Sequence, residues 1–437
     1  MRVLFVTLPV KAHLYVQVSL AWALRAAGHE VCVAGQSQVV DDITHTGLTA
    51  VPIGAPLDHE AAMAEVRQRQ EESQEAEERG EEAHPWETEW EKVLDITESR
   101  PEKLTHDYLH GVNTVWTFNI QTLSPPDMTD DLVTFARTWR PDLVIWDALI
   151  YAGPVAAKAC GAAHARMLFS LDLLGRMRQR YKGELARRPV EVWDDPMEEW
   201  LGATLDRYGC GYSDDLMSGQ WTIDPVLPSM RLPVDLPYVP VRFVPYNGRA
   251  EVPGWLSEPA ESRRLCLTLG LSLRSMGGDR VSVAELLDAV ADLDVEVVAT
   301  LNAEQLAGVD KVPDNVRAVD FVPLNELLPG CSAIVHQGGF GQTQTAMAHG
   351  VPQVVLPNGY WDTVLRAGQV QDFGAGLAVG DPDRVSAAEI REKVVRVLQE
   401  PGFAVSAARL REEMLATPAP AEIVPLLERL TAEHRAR

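Results

Sequence analysis

The sequence predicts an α/β protein of two similar halves, each a doubly wound parallel sheet. The chain has 437 residues, enough for two or three domains with cores of their own. Short apolar runs such as RVLFVT, EVCVA and VEVVAT alternate with helical stretches. Buried strands joined by helices imply parallel βαβ units, because antiparallel hairpins would not need the crossovers. The alternation breaks in one proline-rich passage and then starts again.

Taken in order, RVLFVT is the first strand, followed by a helix over Val16 to Ala27 that Gly28 ends, the strand EVCVA, a second helix and LTAVPIG. Residues 58–100 carry 15 Asp or Glu against 5 Lys or Arg, the composition of a solvated or partly mobile insertion; the tryptophans in HPWETEW add the option of a docking surface. PDLVIWDALI, the Ala-rich helix AGPVAAKACGAA and HARMLFS resume the rhythm. DPVLPSMRLPVDLPYVPVRFVPYNG resists helix and parallel strand, since proline lacks a donor and fixes φ, and reads as a linker. RRLCLTLGLSL, a helix over Val281 to Leu293, VEVVAT, VRAVDFVP, SAIVHQ, a helix from Gly341, PQVVLP and a helix from Asp362 build the second half. The expected divisions are 1–222, a linker over 223–250, 251–415, and a closing helix over 416–437.

Composition excludes several classes. A net charge of −24 opposes binding to nucleic acid or anionic membrane, and no apolar run reaches the ~18 residues of a span. Lys11, His13 and Gln17 interrupt the apolar start, which therefore reads as a buried strand rather than a leader. Cys32, Cys160, Cys210, Cys266 and Cys331 have no metal-binding spacing and fit reduced core cysteines in a cytoplasmic protein. The D-x-D triplets in ADLDV and GDPDR lie at a helix end and in a loop, and His106 and His110 in HDYLH lack a third ligand, so no metal site is expected.

The stretch HQGGFGQTQTAMAHG, from His336 to Gly350, is a strand end, a glycine turn and a helix. A helix start leaves amide donors without intrachain partners and is positive through the aligned peptide dipoles, so an anion fits there. Gly338, Gly339 and Gly341 would let a diphosphate approach the backbone, Gln342 and Thr343 add donors, and His336 could donate to a phosphate oxygen. A glycine turn without ligand is the plain alternative. HQGG also resembles a hydrolase oxyanion loop, but no G-x-S-x-G elbow accompanies it; a dinucleotide fold would place its glycines after the first strand, where LPVKAHLY stands.

The segment FVPLNELLPGCSAIVHQGGFGQTQTAMAHGVPQVVLPNGYWDTVLRAGQVQDFGAGLAV resembles the donor-binding signature of GT-B glycosyltransferases, in particular bacterial enzymes that move dTDP-deoxysugars onto polyketide antibiotics such as macrolides. LAWALRAAGHEV, DDITHTGLTAVPIG and WRPDLVIWDALIYAGPVAAKACGAAHARML extend the resemblance through the first half. It implies two Rossmann-like domains facing a central cleft, with the acceptor in the first and the nucleotide sugar in the second. It further implies that Val322, between Phe321 and Leu324, pairs through its backbone with the pyrimidine, that Gln344 sits near the ribose, and that Gly341, Gln342 and Thr343 hold the diphosphate. Ser272 would reach the distal phosphate, and Asp362 with Thr363 would face the sugar.

Three departures matter. His336-Gln337 stands for the common histidine pair, Asp362-Thr363 for the usual Asp-Gln sugar clamp, and Lys11-Ala12 for the glycine before the family's basic histidine. Threonine offers less hydrogen bonding than glutamine, which favours a donor lacking hydroxyls. His13, after the first strand, is the candidate general base, and Asp147, ending PDLVIWD, its orienting partner. The expected reaction is an inverting displacement without cofactor beyond the dTDP-sugar cosubstrate, onto a hydrophobic aglycone. An epimerase or a nonenzymatic scaffold on the same fold are the alternatives. An auxiliary protein of cytochrome P450 fold, implied by the resemblance, and a second copy of the chain are the candidate protein partners.

Overall fold

The computed structural model describes residues 1–56, 95–258, 262–270, 282–380 and 385–435. Two parallel sheets organise them. The first has seven strands in the order β3-β2-β1-β4-β5-β6-β7: β1 Arg2–Val6, β2 Glu30–Gly35, β3 Thr49–Pro52, β4 Leu143–Asp147, β5 Ala163–Met167, β6 Trp221–Asp224 and β7 Tyr238–Pro240. The second has six in the order β10-β9-β8-β11-β12-β13: β8 Arg264–Thr268, β9 Glu296–Thr300, β10 Val316–Val319, β11 Cys331–His336, β12 Gln353–Val355 and β13 Gly376–Ala378. β1, β4, β5 and β8 are nearly or wholly buried along their length, as strands covered by helices on both faces must be.

Each sheet reverses its strand order once, between β1 and β4 and between β8 and β11. In open α/β sheets ligands bind outside the carboxyl ends of the strands at such a reversal. The register aligns Val6 with Trp146 in the first sheet and Thr268 with His336 in the second, so the loops after these strands flank the two crevices.

Three expectations are corrected. The first helix begins at Lys11, not Val16, and runs to Ala26, because Lys11 and Ala12 are good helix formers just past Pro9. His13 therefore sits in the first helical turn rather than in a loop. The proline-rich passage is not all linker: Trp221–Asp224 and Tyr238–Pro240 pair in parallel as β6 and β7. β7 is the sheet edge, where a proline forfeits no bond on its unpaired side. The helix expected over Val281 to Leu293 is shorter, Val283–Val290, and Ser282 caps it by accepting from the Glu285 amide.

The two halves share a core. One hydrophobic cluster contains Leu14 and Val16 from the first helix, Val226 and Met230 after β6, and Met347, Val355, Ala367 and Val370 from the second half. The last helix, Pro420–His434, returns to the first domain, where Ile423, Val424 and Leu427 join that cluster and pack on the helix Lys11–Ala26. Of the five cysteines only Cys266 is fully buried, the other four being half-buried, and all are free thiols. Most of the acidic insertion, 57–94, lies outside the described residues, as do Ser272 and the GDPDR aspartates.

Candidate active site

At the first reversal, β1 leads through Pro9 and Val10 into the helix that carries His13, while β4 ends on Asp147. The two side chains meet: His13 Nδ1 donates to Asp147 Oδ2 at 2.7 Å. The other carboxylate oxygen accepts from the Leu149 amide at 3.0 Å, which fixes the carboxylate plane. Both residues are buried. A proton on Nδ1 leaves Nε2 as the ring's lone pair, the arrangement a general base needs. The Phe169 ring lies tilted against the imidazole, centroids 3.9 Å apart.

At the second reversal, β11 ends on His336 and the helix Phe340–His349 starts after Gly339. Gly338 has φ +80°, a conformation side chains disfavour, and a Cβ there would come within 3.2 Å of Val355. The Gly339 amide donates to Gln342 Oε1 at 3.2 Å and the Thr343 amide to the Gly339 carbonyl at 3.0 Å. The amides of Phe340, Gly341 and Gln342, in the first turn, lack intrahelical acceptors by construction. A Cβ on Gly341 would meet no atom within 4 Å, so this turn faces open space. Gly350, with φ +66°, closes the helix.

His336 is corrected. Its ring is fully buried and both nitrogens are used within the protein: Nε2 donates to Gln353 Oε1 at 2.9 Å, and Nδ1 accepts from the Gly338 amide at 3.0 Å. Burial lowers its pKa to about 4, so the ring is neutral near pH 7. It shapes the glycine turn and has no N–H left for a phosphate oxygen. Gln342 is turned toward the end of β8, its Nε2 donating to Thr268 at 3.5 Å. Thr343 is buried, its hydroxyl donating to the Gly339 carbonyl at 3.0 Å. Gln344, expected near a ribose, donates through Nε2 to the Pro225 carbonyl of the first half at 2.9 Å.

Val322 is buried among Cys266, Val298, Leu327, Ile334 and Ala346, while Phe321 beside it is exposed. Leu324, partly buried, opens the short helix Leu324–Leu327. Asp362 precedes the helix Thr363–Asp372, makes no side-chain cap bond to it and is buried. Its Oδ1 accepts from Arg366 Nη2 at 2.6 Å and its Oδ2 from the Leu171 amide, across the domain boundary, at 2.9 Å. Burial raises its pKa above the ordinary carboxylate range, with Arg366 opposing. The Thr363 hydroxyl is within bonding distance of Asn358 Oδ1 at 3.1 Å and the Tyr360 carbonyl at 2.9 Å.

Sequence reasoning missed the aromatic contact between the halves. Trp361 stacks on Phe169 with centroids 5.8 Å apart, meets Trp116 edge-on at 4.9 Å, and its indole N–H donates to the Ser170 hydroxyl. The only pointer in the sequence was its position next to Asp362. His106 and His110 pair instead with Asp107 and Asp194, and no group of three metal-ligating side chains is found among the described residues.

Comparison with known proteins covers nearly the whole chain. The family model of the erythromycin biosynthesis protein CIII-like N-terminal domain matches residues 22–270, and that of the corresponding C-terminal domain matches 284–430. An aclacinomycin-T 2-deoxy-L-fucose transferase of Streptomyces galilaeus is 54% identical, over 100% of this chain and 97% of its own. A 3-alpha-mycarosylerythronolide B desosaminyl transferase of Saccharopolyspora erythraea is 45% identical over 100% of this chain and 99% of its own. The crystal structure of the glycosyltransferase VinC in complex with dTDP superposes with a TM-score of 0.87 at 40% identity, covering 99% of this chain and 100% of that one.

Proposed function

The chain belongs to the erythromycin biosynthesis protein CIII-like glycosyltransferases, which have the GT-B fold, and from that premise we propose that it moves a deoxysugar from a dTDP-sugar to a hydroxyl of a hydrophobic polyketide-type aglycone, with inversion. The observation that carries the reading is the His13–Asp147 bond of 2.7 Å at the first sheet's reversal, with the open glycine turn at the reversal of the second.

In this mechanism His13 Nε2 takes the proton of the acceptor hydroxyl as its oxygen attacks the anomeric carbon. Asp147 holds the ring's orientation and stabilises the imidazolium. The bond from the anomeric carbon to the diphosphate breaks on the opposite face, and dTDP leaves with its charge held at the turn Gly341, Gln342 and Thr343 by the free first-turn amides of Gly341 and Gln342, the Thr343 amide being bonded to the Gly339 carbonyl. Val322, flanked by Phe321 and Leu324, takes the pyrimidine, Gln344 lies toward the ribose, Ser272 reaches the distal phosphate, and Asp362 with Thr363 faces the sugar. The bonds already made by the Asp362 carboxylate and the Thr363 hydroxyl leave few groups to grip sugar hydroxyls, which supports a deoxysugar.

Beyond dTDP-sugar and aglycone, the proposal requires no metal or cofactor and places the reaction in the cytoplasm; among the described residues no helix is long and apolar enough to cross a membrane. It includes an auxiliary protein of cytochrome P450 fold, and a second copy of the chain, as protein partners to be tested by co-purification. Incubation with dTDP-deoxysugars and polyketide aglycones should release dTDP. His13→Ala should lower kcat by about 10² to 10⁴ while dTDP binding persists. Wild-type protein that neither transfers nor hydrolyses any such donor, with or without the auxiliary protein, would overturn the reading.

A further inference from the structure

Three first-domain groups grip one side chain of the second half. Trp361 stacks against Phe169, meets Trp116 edge-on and donates its indole N–H to Ser170. One residue on, Asp362 accepts from the Leu171 amide at 2.9 Å. Residues 169–171 are thus held from the second half by a ring, a hydroxyl contact and an amide contact in succession.

Trp361 has φ +53°. A bulky residue in the left-handed region is sterically disfavoured and persists only where its surroundings over-determine it; such residues gather at clamps and switches. Here the surroundings are the first domain. Phe169 also lies against His13, ring centroids 3.9 Å apart and planes inclined by 38°. Asp147 fixes the imidazole at one edge through Nδ1, but a single hydrogen bond leaves the ring free to rock about it. A flat partner on the face removes that freedom.

We infer that Phe169 and Trp361 are positioning residues for the base: Trp361, carried by the half that takes the donor, presses Phe169 onto the face of His13, so the imidazole is aligned when the halves are closed. The inference rests on the transfer reading for its kinetic consequence, not for its structural one. Closure and base alignment become a single event, and Asp362, next to Trp361 and facing the sugar, links that event to the donor.

The test is NMR of the protein labelled with ¹³C in its histidine rings, with His13 assigned by its loss in His13→Gln. The ring current of Phe169, tilted against the imidazole, shifts the His13 ring signals, and Phe169→Leu should remove that shift. Trp361→Leu should move the signals in the same direction, and the double variant no further than Phe169→Leu alone. His29, paired with Glu428 at 3.0 Å beyond the far end of the same helix, reports intact folding. Trp361→Phe, which keeps a ring and loses the bond to Ser170, provides a milder variant with a smaller shift expected. A His13 signal that ignores Trp361→Leu and Trp361→Phe, or shifts that add independently in the double variant, overturns the inference.

In turnover, Trp361→Leu should lower kcat roughly 10- to 100-fold with the donor KM little changed, the cost of a misplaced catalytic group. A raised KM with kcat kept would make Trp361 a donor-binding residue only and overturn the inference. The NMR readout needs no turnover, so its failure overturns the aromatic coupling alone, whereas a wild-type chain that releases no dTDP overturns the transfer reading.

Discussion

His13 depends on Asp147 for its tautomer, and this can be tested by a nearly isosteric change. In Asp147→Asn the Oδ1 can still accept from Leu149, which turns the NH₂ toward His13 Nδ1 and forces the ring proton onto Nε2. The base is then lost with the fold intact: kcat should fall by about 10² or more and dTDP affinity should not change, as single-turnover kinetics and calorimetry would show. His336 offers a pH test. Its pKa of about 4 lies below that of an unfolded histidine, so the unfolded chain binds more protons between pH 4 and 6.5. Stability from this group is therefore full above pH 6.5 and lost as pH falls toward 4, by about 3 kcal/mol. His336→Gln should be less stable than wild type at pH 7, and the deficit should narrow toward pH 4. A deficit independent of pH in urea melts would contradict the neutral buried ring.

At the scale of elements, the glycine turn separates two uses of the same residue type. Gly338 needs its positive φ, so Gly338→Ala should cost roughly 1–3 kcal/mol of stability. Gly341 lies inside the helix with open space before it, where alanine is the better helix former. Gly341→Ala should keep or raise Tm and yet weaken dTDP binding, because its methyl enters the space the phosphates need; unchanged affinity would remove the diphosphate from this turn. The turn was legible in the sequence because strand, glycines and helix are local signals. The helix from Lys11 was misjudged by five residues since no cap side chain marks its start: Val10 precedes it and makes no side-chain cap bond. β7 was hidden by its proline, which counts against a central strand but not against an edge.

Across the whole molecule, periodicity told which faces are buried but not what buries them. The bond from Leu171 to Asp362 joins residues 191 apart, and nothing local in either segment announces it. The same limit hid the course of the last helix, whose apolar stripe was readable and whose partner was not. That helix, Pro420–His434, leaves the second half and seals the first, with Leu427 fully buried beside the helix that carries His13. Its tether is extended by the approach of His29 Nε2 to within 3.0 Å of Glu428 Oε1 and by an ion pair between Arg435 and Asp142, the residue just before β4. Leu427→Ala removes a buried side chain from a cluster that spans both halves and should cost about 2–5 kcal/mol. Because the lost packing lies under the helix of His13 rather than under the glycine turn, amide exchange should quicken first in Lys11–Ala26 and β1, with β11 and the helix Phe340–His349 following later. Exchange that quickens equally in both halves would show the shared cluster to be one cooperative unit, and exchange confined to the second half would place the closing helix with the wrong domain.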